Sequence, residues 1–219
     1  PVEGFPVVMG EKIKSSVSLS DLDGDGKDEI LFGTESDHFW LVDQSGNPWE
    51  SFPVLLGDAV KSSPVIVKFQ DSSLLVTGST DGNIYGFSDV GNLVFQIQTG
   101  GVVNSDISVL ELNNTIKLFC GSDDGFLYGF DPLGNPIAGF PVNLESAILS
   151  PPVFADLNND TIPEMILGNS GGEFHVLNLD GSFYAGFPIP LNGSTTSSAT
   201  LTDLDGDGDV EALTGTSIQ

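Results

Sequence analysis

Residues 121–142 read GSDDGFLYGFDPLGNPIAGFPV, and this stretch sets the architecture. Gly121 closes an apolar segment. FLYGF then alternates aromatic residues with Leu127 and Gly129, as a strand with two unlike faces does. Asp131 and Gly134 stand at the first and fourth positions of a tight turn, the chemistry of type I turns. Phe140-Pro141 leads into a further extended segment.

The same parts recur along the chain. Glycines in the place of Gly121 are Gly33, Gly78, Gly168 and Gly215, at spacings of 45, 43, 47 and 47 in chain order. Phe5-Pro6, Phe52-Pro53, Phe140-Pro141 and Phe187-Pro188 form a second series, with Phe95 in the remaining slot. Both series span 182 residues over four periods, so two independent markers agree. The turn signature repeats as Asp43/Gly46, Ser88/Gly91, Asp131/Gly134 and Asn178/Gly181.

Each period reads as four strands. The first is small and alternating: SSVSLSDL (15–22), SSPVIVKF (62–69), SDISVLEL (105–112), SPPVFADL (150–157) and SSATLTDL (197–204). The second is EILFG, LLVTG, KLFCG, EMILG or EALTG. The third is FWLV, IYGF, LYGF or FHVL, and the fourth carries the Phe-Pro marker. A single four-stranded sheet cannot cover its own apolar faces, so such units stack. Repetition at this period predicts an all-β β-propeller of four-stranded antiparallel blades. A parallel β-helix has shorter coils and no such hairpin turns. The expected organisation is one propeller domain over 1–219, with repeats near 1–33, 34–78, 79–121, 122–168 and 169–215. The fifth repeat lacks a third strand, and PVEGFPV at 1–7 resembles a fourth-strand passage. Missing repeats of a longer array, or strand pairing with another chain, are expected to supply the gap.

The loop between the first and second strands carries the chemistry. It reads DLDGDGKDE at 21–29, DLNNDTIPE at 156–164 and DLDGDGDVE at 203–211. Oxygen side chains fall at positions one, three, five and nine, a spacing that wraps a hard cation, with a backbone carbonyl at seven. The predicted sites are Asp21, Asp23, Asp25, the Lys27 carbonyl and Glu29; Asp156, Asn158, Asp160, the Ile162 carbonyl and Glu164; and Asp203, Asp205, Asp207, the Asp209 carbonyl and Glu211. Ca²⁺ suits flexible all-oxygen ligation better than Mg²⁺, and no His or Cys is present for zinc. Two to three calcium sites are expected. The second should be weaker, because Asn158 replaces a carboxylate and Thr161 replaces the turn glycine. The equivalent loops KFQDSS (68–73) and ELNNTI (111–116) have lost the pattern.

These phased DxDGDGxxE loops, each followed by an apolar strand and Gly, resemble the FG-GAP or VCBS repeats of integrin-α-type propellers. GSTDGNIYGFSDVGN (78–92) and GSDDGFLYGFDPLGN (121–135) also look like quinoprotein-type repeats. The resemblance implies calcium loops on one rim and a protein or glycan ligand on the opposite rim. It implies no single activity.

Composition narrows the function. The chain has 219 residues, 31 acidic and six basic, for a net charge of -25. All six basic residues are Lys, which argues against nucleic acid and against anionic membrane surfaces. No run approaches the length of a membrane span. The chain opens on Pro1, as a mature or trimmed product would. Two His and one Cys give nucleophilic catalysis little to work with. His38 has no partner His. His175 shares its slot with Trp40, Tyr85 and Tyr128 and reads as a packing residue, and Cys120 reads as a core thiol. Trp49 is a candidate sugar platform. The opposite rim includes Glu35, Asp37, Asp81, Asp123, Asp124 and Glu173, an acidic surface that suits cationic partners or extra cations and most simply reads as solvated charge that keeps the protein soluble. The expected protein is a non-catalytic, calcium-stabilised binding, adhesion or scaffold propeller of a secreted or cell-surface protein. The alternatives are a carbohydrate-binding or supporting propeller of a polysaccharide-degrading enzyme and a quinoprotein-like dehydrogenase.

Overall fold

A computed structural model describes residues 4–69 and 72–217. Its regular structure is entirely β, with eighteen strands among the described residues. They form four four-stranded antiparallel sheets and one two-stranded sheet, each meandering in chain order. This is the blade architecture that the repeat predicts.

The first sheet comprises β1 (Ser18–Ser20), β2 (Glu29–Gly33), β3 (His38–Val42) and β4 (Val54–Leu55). The second comprises β5 (Val65–Phe69), β6 (Ser72–Gly78), β7 (Asn83–Ser88) and β8 (Leu93–Gln98). The third comprises β9 (Ile107–Leu112), β10 (Thr115–Gly121), β11 (Phe126–Phe130) and β12 (Val142–Asn143). The fourth comprises β13 (Val153–Ala155), β14 (Glu164–Gly168), β15 (Glu173–Leu177) and β16 (Ile189–Pro190). The last pairs β17 (Thr200–Thr202) with β18 (Glu211–Leu213). The sequence puts the Phe-Pro pairs on the fourth strands. In the structure the three internal pairs sit just before β4, β12 and β16, and only Phe95 lies within its strand, β8. Proline lacks the amide hydrogen that a ladder needs, so pairing begins after it.

The contacts group into two compact units. One runs to Ile107 and takes in Pro132–Gly134; the other takes Ser108–Asp131 and the chain from Asn135. Within the first, Leu31, Phe39, Leu41, Phe52, Leu75 and Phe87 pack between the first two sheets. Within the second, Phe119, Leu127, Phe140, Met165 and Leu177 pack between the third and fourth.

Two register details bear on function. The marker glycines let one sheet press on the incoming loop. A β carbon at Gly33 would strike Val60, and one at Gly121 would strike Ile148. The predicted turns form as read: Gly46, Gly91 and Gly181 donate to the carbonyls of Asp43, Ser88 and Asn178 at 2.9, 2.9 and 3.0 Å. Phe5–Val8 forms no strand. Val7 lies against Gly46, as Val142 lies against Gly181, so the segment occupies a fourth-strand place beside the first sheet.

Candidate metal loops and the opposite rim

The three acidic loops join β1 to β2, β13 to β14 and β17 to β18, and they share one hydrogen-bond plan. The glutamate at position nine reaches back to the amide of position two. Leu22, Leu157 and Leu204 each donate to Oε2 of Glu29, Glu164 and Glu211 at 2.8 Å. The aspartate at position one accepts two amides. Asp21 takes Gly24 at 2.6 Å and Gly26 at 2.9 Å. Asp203 takes Gly206 at 2.7 Å and Gly208 at 3.1 Å. Asp156 takes Asp160 at 3.1 Å and Thr161 at 2.7 Å. Asp23, Asn158 and Asp205 accept the amide two residues on. Asp25, Asp160 and Asp207 accept the amides of Lys27, Ile162 and Asp209, at position seven. These bonds curl each loop so that its side-chain oxygens converge.

Convergence differs between loops. Ligand oxygens of Asp21, Asp23 and Glu29 lie within 4.8 Å of one another, as do those of Asp203, Asp205 and Glu211. Either group is compact enough to hold a cation. Glu29 is 1% exposed, and its Oε1 is buried with no hydrogen-bond partner. A buried, unpaired carboxylate oxygen costs several kcal/mol unless a cation or donor meets it. Burial pushes the Glu29 carboxyl above its usual range, and the charges of Asp23, Asp25 and Asp21 add to the rise against the Leu22 bond. In the second loop Glu164 is equally buried, but Asn158 Nδ2 donates to its Oε1 at 3.2 Å. An amide there supplies the donor that Glu29 Oε1 lacks. Asn159 and Thr161 hold φ of 60° and 73°, in the region that the first loop fills with Gly24 and Gly26.

The loops without the pattern close differently. Asn113 and Asn114 alone join β9 to β10, with φ of 51° and 59°. Two residues at positive φ make a type I′ hairpin, which needs no ion. Lysine replaces ligands in these blades. Lys68 stands in the register of Asp21 and Lys117 in that of Glu29. Lys68 Nζ donates to the Asp21 carbonyl at 3.1 Å.

The far ends of the strands are less uniformly acidic than the sequence suggests. Asp81 accepts from the Tyr85 hydroxyl at 2.7 Å and from Gly57 at 2.9 Å. Asp124 accepts from the Tyr128 hydroxyl at 2.7 Å. Burial, helped by Asp81, pushes Tyr85 up to about 12. These two carboxylates are internal struts of their blades. The signal that could have found them is an Asp three residues after the marker glycine with a Tyr four residues later. His38 Nδ1 faces Glu11 at 3.1 Å and Asp37 at 3.2 Å. Trp49 packs half-buried against the first core. Cys120 is buried, as read.

Stacked four-stranded sheets of this plan define a propeller-type protein. Residues 156–214 match the FG-GAP-like repeat model, so the chain carries that repeat in its last two sheets. The fold is similar to BamB from Moraxella catarrhalis (TM-score 0.65, 21% identity, 95% of this chain and 60% of that one). It is also similar to BBS1N, solved in complex with ARL6DN (TM-score 0.62, 14% identity, 96% and 64%). A third likeness is to the V. cholerae biofilm matrix protein Bap1 (TM-score 0.66, 17% identity, 93% and 35%). The chain thus spans less than two thirds of the length of each of these proteins. At these identities the likeness establishes the fold. No curated protein matches the sequence.

Proposed function

We propose that the chain is a calcium-stabilised, non-catalytic binding or scaffold propeller of a secreted or cell-surface protein. One observation carries the metal assignment: the buried Oε1 of Glu29 has no partner and sits beside Asp21 and Asp23. Asp21, Asp23, Asp25, Glu29 and the Lys27 carbonyl would hold the first ion. Asp203, Asp205, Asp207, Glu211 and the Asp209 carbonyl would hold another. Asp156, Asn158, Asp160, Glu164 and the Ile162 carbonyl form a weaker third set. Bound Ca²⁺ would neutralise the clustered carboxylates and lock the β1–β2 and β17–β18 connections. The protein's own part is to curl each loop through the amide bonds to Asp21 and Asp203. This role is structural, since the loops lie at the strand ends away from the rim offered for binding.

A protein partner is the reading that the similarity to BBS1N, solved with ARL6DN, supports, and the strand ends opposite the acidic loops are where we place it. Further repeats or another chain would pair with the exposed edge of β18. The test is a melting curve with calcium and with chelator. A native-only site adds about 2.7 kcal/mol at a hundredfold excess over Kd. The midpoint is expected to fall on chelation, and an unchanged midpoint would remove the calcium assignment.

A further inference from the structure

A glycine that follows Asn or Asp opens the chain to a reaction with itself. No side chain blocks its amide nitrogen, which can attack the preceding side-chain carbonyl and close a five-membered imide. The sequence holds seven Asp-Gly pairs and one Asn-Gly pair, Asn192-Gly193. The fold treats the two kinds differently.

Every Asp-Gly pair has its glycine amide engaged. In the acidic loops Gly24 and Gly26 donate to Asp21, and Gly206 and Gly208 donate to Asp203. In the turns Gly82, Gly125 and Gly181 donate to the carbonyls of Ser79, Ser122 and Asn178 at 3.2, 3.1 and 3.0 Å. An ionised carboxylate is also a poor electrophile. Asn169-Ser170, where the electrophile is an amide, is guarded twice. Asn169 is 0% exposed, and Ser170 donates to the Ala147 carbonyl at 2.9 Å.

Asn192-Gly193 has neither guard. Asn192 is exposed. Neither its side chain nor the Gly193 amide makes a hydrogen bond among the described residues. The pair lies on the connection from β16 to β17, between two anchors. Leu191 donates to the Gly172 carbonyl at 2.6 Å, and Thr195 donates to the Asn169 carbonyl at 3.1 Å. Both anchors hold the connection to the β14–β15 turn, at the strand ends opposite the acidic loops.

We propose that Asn192 is a self-modification site, which converts in the folded protein to aspartate and iso-aspartate with water as the co-reactant. The Gly193 nitrogen gives its proton to hydroxide and bonds to Asn192 Cγ. The Cγ–Nδ2 bond breaks, and the nitrogen takes a proton from water and leaves as ammonia. Water then opens the imide. Cleavage at Cγ gives aspartate on an unchanged backbone. Cleavage at the Asn192 carbonyl carbon gives iso-aspartate, whose main chain runs through Cβ and Cγ. Either product adds a negative charge to the rim on which the partner is placed. Iso-aspartate also lengthens the main chain between the two anchors. Thr195 is buried and packs on the marker Gly168, so it yields little. The extra length falls on Ser194, which holds Ser217 through paired hydroxyls at 2.8 Å and through its carbonyl at 2.9 Å. The site needs neither the calcium reading nor the partner reading.

The test ages the calcium-loaded chain in heavy-oxygen water at neutral and at mildly alkaline pH. Peptide mapping locates the label, and an isoaspartyl methyltransferase counts iso-aspartate. In the folded chain the label should enter first at Asn192, faster at alkaline pH, with Asn169 and the Asp-Gly pairs unlabelled. In guanidinium the same chain should label Asn192 at a similar rate and begin to label Asn169 as well. Asn192→Gln should remove the early label, because the larger ring closes slowly. Asn192→Asp copies the charge alone and should melt with the fresh parent, whereas the iso-aspartate fraction should melt lower. A folded chain that keeps Asn192 intact while the guanidinium sample converts would show that the fold guards the pair, and would overturn the site. Label at Asn169 as early as at Asn192 in the folded chain would overturn selection by free amides. Equal melting of the iso-aspartate fraction and the fresh chain would overturn the loosening at Ser194.

Discussion

The first and second acidic loops, Asp21–Glu29 and Asp156–Glu164, share a backbone plan and bury the same glutamate, yet they satisfy it differently. In the first, Glu29 Oε1 has no protein partner and faces two aspartates. In the second, Asn158 donates to Glu164 Oε1. One loop leaves a buried carboxylate oxygen unmet, and the other carries its own donor. A repeat can therefore keep a loop's shape while exchanging the agent that holds it. The second and third blades go further: each places a lysine at a ligand position, and the third closes with a two-residue hairpin.

The sharpest way to break this contrast is to neutralise the two glutamates in turn. Glu29→Gln keeps an acceptor for the Leu22 amide but removes the charge that a cation meets. It should forfeit most of the calcium stabilisation of its site, about 2.7 kcal/mol at a hundredfold excess over Kd. For a chain of this size that is a fall in Tm of roughly 5–10 °C. In chelator the sign should reverse, because the variant no longer buries an unpaired charge. Glu164→Gln should show neither effect. Equal behaviour of the two variants in calorimetry would erase the distinction.

A smaller change should convert the second loop into the first. Asn158→Asp removes the donor that satisfies Glu164 and adds a carboxylate. Thr161→Gly relieves a left-handed residue, a strain of about 1 kcal/mol. The double variant should bind calcium about tenfold more tightly by titration calorimetry, as one added carboxylate ligand would. It should also be less stable than the parent in chelator.

How much of this was legible beforehand depended on whether a feature repeats. Strand order, turn chemistry and the acidic loops recur in phase, so each copy reinforces the others. The pairing of Asn158 with Glu164 was hidden, because an amide can ligate or donate and only geometry decides. The struts from Tyr85 to Asp81 and from Tyr128 to Asp124 were missed because acids at strand ends read as solvated charge. His175 was read as a packing residue, and it is buried as read. Strand four was placed on the Phe-Pro pairs, although proline's missing amide should have moved it onward.

The opposite rim extends the comparison to pH. Burial holds His175 below its ordinary value of 6.5, against the pull of Glu173 and Glu145. The unfolded chain then takes up a proton before the folded one does. The stability contribution is complete above about pH 6.5 and is lost as pH falls from there through the lowered folded value. Melting in calcium between pH 7.5 and 5.5 should show this decline. His175→Phe should flatten it, whereas the blades carrying Tyr85 and Tyr128 contribute no such slope. An unchanged pH profile in the variant would mean that carboxylates alone set it.

The weakest expected effect lies between neighbouring blades at the metal end. Lys68 occupies the register of Asp21 in a blade that closes without a metal loop, and its ammonium donates to the Asp21 carbonyl at 3.1 Å. The bond is solvent-exposed and ends on a backbone oxygen, so its worth in the folded chain is no more than about 0.5 kcal/mol. Its position gives it a second effect. A cation near the first loop repels Ca²⁺ slightly, while its hydrogen bond steadies the first turn of that loop. Lys68→Met keeps the aliphatic stem and removes both. If repulsion dominates, calcium affinity should rise by less than a factor of two with a smaller salt dependence. If the tether dominates, affinity should fall by a similar factor and the salt dependence should stay unchanged. Calcium titrations at two ionic strengths separate the two cases, because screening acts on the charge and leaves the hydrogen bond nearly untouched. At 3.1 Å and exposed to solvent, the tether is the weaker term, and the small gain in affinity is the expected result.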